Sequence, residues 1–170
     1  SYAHQWCEKN NVACTPVRPV APASDFTYSH TEGESFCVIT GYTGAGTSIS
    51  LPETIDGLKV TGIAEKAFAN CDTLTGVTIH SGILAVGKSA FSGCDNLKSV
   101  TVMEGVYEVC EYAFYNCPSL NTVILPDSMA FLEKYTFYNC TGLASVTIPD
   151  SVTSIYREAF YGCTGLTSVT

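Results

Sequence analysis

Residues 143–163 read LASVTIPDSVTSIYREAFYGC, and this pattern of apolar residues recurs every 23 residues along the chain. Its most regular columns hold phenylalanine and cysteine. The phenylalanines are Phe68, Phe91, Phe114, Phe137 and Phe160, and the cysteines are Cys71, Cys94, Cys117, Cys140 and Cys163. A fixed period of about 20 to 50 residues indicates a solenoid, in which each repeat forms one coil and the coils stack on one another.

Each repeat divides into a strand half and a return half. The apolar residues Val146 and Ile148 are separated by one polar residue, which is the alternation of a strand with one buried face. Residues 111–117 (EYAFYNC) lack this alternation and predict a short helical or 3-10 turn. We therefore expect the coils to pair strand to strand at about 4.8 Å, forming a parallel sheet along one side.

The repeat resembles the BspA-type leucine-rich repeat of bacterial and protist surface proteins. The resemblance covers residues 47–170, and its most telling pieces are residues 148–152 (IPDSV) and 159–163 (AFYGC). It implies an α/β fold: a right-handed leucine-rich-repeat solenoid with a parallel β-strand ladder, short helical or 3-10 returns, and an N-terminal cap.

The chain is expected to contain two parts. Residues 1–34 form an N-terminal arm and proline-rich linker, since residues 15–22 (TPVRPVAP) predict an extended, semi-rigid segment. Residues 35–170 form the repeat domain, with the cap and first long unit at 35–70 and the regular repeats at 71–170. The chain stops on the strand of a further unit without a polar closing segment. We therefore expect that the array continues in a longer protein, or that a partner chain covers its last coil.

The cysteine column has two interpretations. Stacked thiols could bind metal or form disulfides, or they could be small buried residues whose S–H groups meet the turn backbone. Side chains from parallel coils do not point at one another and no C-x-x-C pair occurs, so the second interpretation is favoured and no metal site is predicted. Outside the column, Cys7 and Cys14 are a candidate disulfide within the arm, which suits an oxidising, extracellular location.

Two surfaces are candidate binding sites. The outward face of the predicted strands is rich in small hydroxyls, and it comprises Thr78, Ser99, Thr101, Thr122, Ser145 and Thr147. The sheet face is the usual binding surface of leucine-rich repeats, although Thr and Ser also simply suit exposed strand positions. The alternative face holds Tyr115, Tyr138 and Tyr161, one repeat apart. Tyrosines suit contacts with protein or sugar, but a packing ladder between coils also explains this column.

The composition excludes several classes of function. Lys and Arg number 8 against 16 Asp and Glu, a net charge of -8, which argues against nucleic-acid binding. No stretch approaches the roughly 20 apolar residues of a membrane span, so no membrane insertion is expected. The sequence contains no nucleophile elbow, P-loop or dinucleotide motif, and its three histidines, His4, His30 and His80, form no catalytic pattern. We expect neither enzyme activity nor a cofactor.

The resemblance implies a non-catalytic protein that is secreted or held at a cell surface and mediates protein–protein recognition or adhesion. Its partner would be a host or matrix protein. Two alternatives stay open at this point: a structural spacer within a longer surface protein, and a glycan-binding module that uses the tyrosine side.

Overall fold

The computed structural model describes residues 18–170, which form a solenoid of stacked coils built from short strands. The predicted parallel solenoid is thereby confirmed. One 3-10 helix, Ala23–Asp25, precedes the strands. The strands are β1 (Phe26–Ser29), β2 (Phe36–Tyr42), β3 (Ser48–Ser50), β4 (Thr54–Ile55), β5 (Leu58–Ile63), β6 (Gly76–Ile79), β7 (Ala85–Val86), β8 (Ser99–Val102), β9 (Glu108–Val109), β10 (Thr122–Ile124), β11 (Phe131–Leu132), β12 (Ser145–Val146), β13 (Ser154–Ile155) and β14 (Ser168–Val169).

The strand half of each repeat forms parallel ladders along one side of the coils, a four-stranded sheet and a separate two-stranded one, together called sheet A. Strands β3, β6, β8 and β10 pair in that order, and β12 pairs with β14. Val77 lies opposite Val100, and Val100 lies opposite Val123. Residues one repeat apart in sequence are therefore neighbours in the sheet. This register turns the valine column inward, because successive strand residues point to opposite faces. Its members are buried from Val77 to Val146, whereas Val169 in the last coil is exposed.

The other half of the repeat forms a second set of parallel ladders, a larger sheet and a separate two-stranded one, together called sheet B. Strands β2, β5, β7 and β9 pair in that order, and β11 pairs with β13. The expectation of a sheet along one side was therefore incomplete. The inward residues of the short strands in sheet B, such as Val86 and Val109, belong to an apolar column, but two residues are too few to show alternation in a sequence.

The returns are runs of 3-10-type turns that do not merge into a helix. The N–H of Tyr115 donates to the carbonyl of Tyr112 three residues earlier (3.1 Å), whereas the N–H of Phe114 donates to Thr136 in the next coil (2.9 Å). Along the return, successive backbone N–H groups therefore donate alternately to a carbonyl of the same coil and to a carbonyl of the next coil. Two residues per return also adopt the left-handed region, Tyr112 at φ 62° and Asn116 at φ 53°, which interrupts helical geometry.

The phenylalanine column forms the central row of the core. Ring centroids of successive members lie 4.7, 5.3, 5.5 and 5.5 Å apart from Phe68 to Phe160, with nearly parallel planes. Phe91, Phe114 and Phe137 are fully buried, and Phe160 in the last coil is half-buried. Each ring therefore packs mainly against its neighbours one repeat away, as expected for a solenoid.

The cysteine column ties each return to the preceding coil. Cys94 Sγ donates a hydrogen bond to the carbonyl of Phe68, 26 residues earlier, at 3.0 Å. The equivalent bonds in the next three coils run from Cys117 to Phe91, from Cys140 to Phe114 and from Cys163 to Phe137. Hydrogen bonding with the Cys117 thiol, together with burial, raises the pKa of Cys94 and keeps it in the protonated form that donates. The thiols meet the turn backbone, as the second interpretation of this column expected.

The N-terminal cap begins earlier than the sequence indicated. Strand β1 lies in the segment assigned to the arm, yet it pairs antiparallel with β2 and buries Phe26 against Phe68. Before it, Val20 forms a parallel bridge with Ser50 at the edge of sheet A. The proposed boundary at residue 35 therefore lies beyond the start of a packed cap, because residues 19–29 have backbone partners in the repeat domain that no sequence column reveals. The candidate disulfide Cys7–Cys14 lies outside the described residues.

Candidate interaction surfaces

The outward face of sheet A, called the strand face, carries the predicted hydroxyls. It comprises Thr78, Ser99, Thr101, Thr122, Ser145 and Thr147. The alternation of side chains along each strand turns these residues away from the core. Those of the last coils, Thr122, Ser145 and Thr147, are exposed, whereas those of the earlier coils are half-buried. The two ends of this face therefore differ in accessibility.

Arg18 accounts for part of the difference. Its guanidinium lies across three coils and donates to Ser48 Oγ (2.9 Å), Thr78 Oγ1 (2.8 Å) and Ser99 Oγ (2.6 Å). Arg18 is only 7% exposed, and this burial lowers its pKa. The side chain fits because Gly76 lies beneath it: a Cβ there would approach Nε to 2.8 Å. Two of the six predicted residues thus bind a side chain of the same molecule.

Sequence reasoning missed Arg18 because it lies outside the repeat. One signal was present: the outward strand column reads Gly76, Ser99, Thr122, Ser145 and Ser168, so a residue without a side chain stands in the first regular coil. A glycine in a strand often marks the close approach of another group. That signal identifies the position but not the residue that fills it.

The second candidate surface, called the tyrosine surface, comprises Tyr112, Tyr115, Tyr135, Tyr138 and Tyr161. Tyr138 stacks on Tyr115 and on Tyr161 with centroids 5.0 Å apart on each side. A second stack joins Tyr112 to Tyr135 at 4.7 Å. Tilted contacts of 5.5 and 5.9 Å connect the two stacks. The structure thus brings the three predicted tyrosines together with two more from the neighbouring column.

Charged residues border the tyrosine surface. Glu111 lies between Lys88 (3.5 Å) and Lys134 (3.1 Å), and its hydrogen bond from Lys134 lowers the pKa of its carboxyl group. The Lys88 ammonium also lies 5.6 Å from the centroid of the Tyr112 ring, within the range of a cation–π contact. Such exposed pairs add little stability, but they fix the positions of charges beside the rings.

Two of these tyrosines have an unfavourable backbone conformation. Tyr112 and Tyr135 have φ angles of 62° and 60°. The left-handed region costs an L-residue with a side chain about 1–2 kcal/mol, and bulky residues are seldom found there. The equivalent positions in other coils hold Lys66, Ser89 and Glu158, so an aromatic ring is not required for the turn itself.

His80 does not form a catalytic arrangement with its neighbours. Its Nε2 lies 3.1 Å from the carbonyl of Pro52, and its Nδ1 accepts from the N–H of Gly82 at 3.1 Å. Both ring nitrogens are thus bound to main-chain groups, and burial lowers the pKa of the imidazole. Within residues 18–170, no group of three His, Cys, Asp or Glu side chains is arranged to hold a metal ion.

Comparison with known sequences identifies the repeat. The sequence profile of the BspA type leucine-rich repeat region matches residues 47–170 in six copies. The chain belongs to this family. Leucine-rich repeat proteins are typically non-catalytic and generally bind other proteins. None of the curated proteins compared with the chain matches it.

Solved structures show the same leucine-rich repeat fold. The chain is similar to a leucine-rich repeat protein of T. pallidum, with 36% identity and a TM-score of 0.81 over 88% of this chain and 70% of that one. It also resembles a leucine-rich repeat protein of Bacteroides capillosus, with 22% identity and a TM-score of 0.55 over 88% of this chain and 95% of that one. In the described part of this leucine-rich repeat chain, no helix has the length and apolar character needed to cross a bilayer.

Proposed function

We propose that this leucine-rich repeat chain is a non-catalytic recognition domain of a secreted or cell-surface protein, and that it binds a protein partner through the tyrosine surface. The observation that carries the proposal is the pair of stacked tyrosine columns at the surface of consecutive coils. The family membership supports a bacterial surface protein as the context. A Cys7–Cys14 bridge would fit the same location.

Stacked tyrosines are suited to binding a protein. Each ring offers a large contact area with a polar tip, and interface energy concentrates in such aromatic residues. The neighbouring rings already restrict each tyrosine, so little further side-chain entropy is lost when a partner binds. Tyr161 is the last ring of the stack that contains Tyr115 and Tyr138, and it is 60% exposed. A partner can therefore gain contact area without reorganising this surface.

The charges beside the rings support selectivity. Lys88, Glu111 and Lys134 form an alternating row along one side of the tyrosine surface. Charged groups at the rim of an interface contribute mainly to the association rate and to rejection of wrong partners. The arrangement of an aromatic centre with a charged rim matches the usual anatomy of protein–protein interfaces.

Ring geometry favours a protein over a glycan as the ligand. Sugars bind aromatic residues through the faces of the rings, but the faces of Tyr138 are covered on both sides by Tyr115 and Tyr161 at 5.0 Å. The inner rings therefore present edges, which protein side chains contact readily. A passive spacer is also less favoured, because it would have no use for tyrosines in the unfavourable conformation of Tyr112 and Tyr135.

The proposal is tested by binding measurements on a panel of purified extracellular-matrix proteins, with a glycan array in parallel. Tyr138→Ala removes the centre of the stack and should weaken binding to the selected matrix protein about tenfold or more. The matched control is Thr147→Ala on the strand face, which is exposed and should change the affinity less than about twofold. Circular dichroism checks that both variants remain folded.

Three results would contradict the proposal. The first is binding to glycans alone. The second is a loss of affinity in Thr147→Ala that equals or exceeds the loss in Tyr138→Ala, which would move the site to the strand face. The third is an absence of binding to every protein and glycan while the chain stays folded, which would favour the spacer.

A further inference from the structure

Tyr138 and Tyr161 bring the phenol rings of two successive coils face to face. Their centroids lie 5.0 Å apart, and their ring planes are inclined by only 18°. Because the two residues occupy equivalent positions of the repeat, like atoms of the two rings lie near one another. The ortho carbons, which adjoin the carbon that bears the hydroxyl group, are therefore neighbours across the stack.

The fold of the return does not require tyrosine at these positions. The equivalent residues of two earlier coils are Ala69 and Ser92. Those returns have the same backbone conformation at the next residue, since Asn70 and Gly93 adopt positive φ there. The stacked phenols are thus an addition to the outside of the later coils, and the packing of the core does not explain them.

The stack is open to solvent at Tyr161. This residue is 60% exposed, whereas Tyr138 is half-buried. In the part of the chain that the structure describes, neither hydroxyl group has a hydrogen-bond partner. A small oxidant can therefore reach the Tyr161 ring, and water can accept the phenolic proton.

Tyr107 is equally exposed but has no such neighbour. It is 61% exposed, and among residues 18–170 no aromatic ring contacts it. The equivalent residues in the adjoining coils are Leu84 and Ala130. Exposure alone therefore does not bring two phenols together, whereas the repetition of tyrosine in one column does.

We propose that Tyr138 and Tyr161 form an oxidative cross-linking site, at which a peroxidase acting with hydrogen peroxide joins the two rings as dityrosine. Each one-electron oxidation removes an electron and the phenolic proton and leaves a phenoxyl radical. Coupling of two radicals forms a carbon–carbon bond between ortho carbons. The hydrogens on those two carbons then move to the phenolic oxygens, which restores both hydroxyl groups. In total the chain loses two hydrogen atoms, and hydrogen peroxide is reduced to two molecules of water.

The stack allows two adjacent radicals to form although one ring is the more accessible. A radical first formed on Tyr161 takes an electron from Tyr138 across 5.0 Å while solvent exchanges the protons, which moves the radical to the inner ring. A second oxidation of Tyr161 then completes the pair. Because Tyr161 is largely exposed, it can turn its ortho edge toward Tyr138 and close the remaining distance.

The product is a covalent bridge between two successive coils. The bridge joins residues 23 positions apart in the sequence, so it restricts the unfolded chain as a disulfide does. The coupling needs only the ring geometry and an oxidant, and it is independent of the proposed binding of a protein partner.

Mass spectrometry of the peroxidase-treated full chain tests the site. Accessible thiols are first alkylated so that cysteines do not consume the radicals. Trypsin cuts after Lys134 and Arg157, so Tyr138 and Tyr161 fall in different peptides, 135–157 and 158–170. The expected product is these two peptides joined and lighter than their sum by two hydrogen atoms, with fragment ions that place the bond between Tyr138 and Tyr161. Mixing chains of normal and nitrogen-15 composition distinguishes a bridge within one chain from a bridge between two.

Tyr138→Phe is the decisive variant, because phenylalanine keeps the stacked ring but cannot form a phenoxyl radical. It should lower the yield of cross-linked peptides that contain Tyr161 at least fivefold. Tyr107→Phe is the matched control, since it removes an equally exposed tyrosine outside the stack and should leave that yield unchanged. Circular dichroism checks that both variants remain folded.

Three results would overturn the proposal. Cross-links between chains of different isotopic composition that outnumber those within one chain would indicate random collision of exposed tyrosines. An unchanged yield in Tyr138→Phe would place the coupling partner of Tyr161 elsewhere. Absence of the joined peptides 135–157 and 158–170, in samples where Tyr107 is oxidised, would show that the two rings do not couple.

Discussion

The stacked phenylalanine row should contribute strongly to the free energy of unfolding. Phe114 is fully buried and stacks on Phe91 at 5.3 Å and on Phe137 at 5.5 Å. Phe114→Ala removes one buried ring and two stacking contacts, so it should lower the free energy of unfolding by about 3–5 kcal/mol. This is a large part of the 5–15 kcal/mol that typically stabilises a domain, so the variant should unfold at a much lower urea concentration.

Phe160→Ala is the matched control for this prediction. Phe160 is half-buried and stacks on one neighbour, Phe137, at 5.5 Å, so its removal should cost about 2 kcal/mol less. The measurement is urea unfolding followed by far-UV circular dichroism, with the slope of the transition compared between variants. Equal losses for the two variants, or a loss below about 1 kcal/mol for Phe114→Ala, would refute the continuous row of rings.

Three further predictions concern other parts of the chain. The pKa of His80 is lower in the folded state than in the unfolded chain, so its contribution to stability is present above about pH 6.5 and is lost as pH falls through the lowered value. His80→Gln should therefore flatten the fall of the melting temperature toward acid pH. Gly105 has φ 102° and a Cβ there would meet a backbone oxygen at 2.6 Å, whereas Gly33 at φ 86° has open space, so Gly105→Ala should lower the melting temperature more than Gly33→Ala. Titration of thiols in denaturant without reductant should give seven, because the seven described cysteines are free and we expect Cys7 to be bridged to Cys14. A value of nine would exclude the bridge, and a value below seven would contradict the free cysteine column.

The inward columns were predictable because burial imposes the same requirement on every coil. Phe114 and Cys117 occupy equivalent environments to Phe91 and Cys94, so the sequence repeats wherever the environment does. Register in a parallel sheet then follows, since only pairing of equivalent residues keeps one face buried along the whole sheet. The stack of Tyr115 on Tyr138 could be predicted for the same reason.

The returns and sheet B were less predictable because their local signals are weak. The left-handed position of Asn116 has a sequence signal, since every member of that column is Asn or Gly and both tolerate positive φ. The other left-handed position holds residues as different as Lys66 and Tyr112, so no residue type indicates it. Cross-coil hydrogen bonds hold that conformation in place, and they appear only when the next coil is present.

Departures from the repeat carry more information about binding than the repeat itself. A residue type that is the same in every coil serves the packing of one coil on the next. By itself it cannot distinguish one position along the solenoid from another. Gly76 in a column of hydroxyls leaves space for Arg18, and Ile124 is a buried apolar residue in an outward column of threonines. Tyr112 and Tyr135 likewise place rings where other coils have lysine, serine or glutamate. Each exception gives a regular surface one defined location at which a specific group can bind.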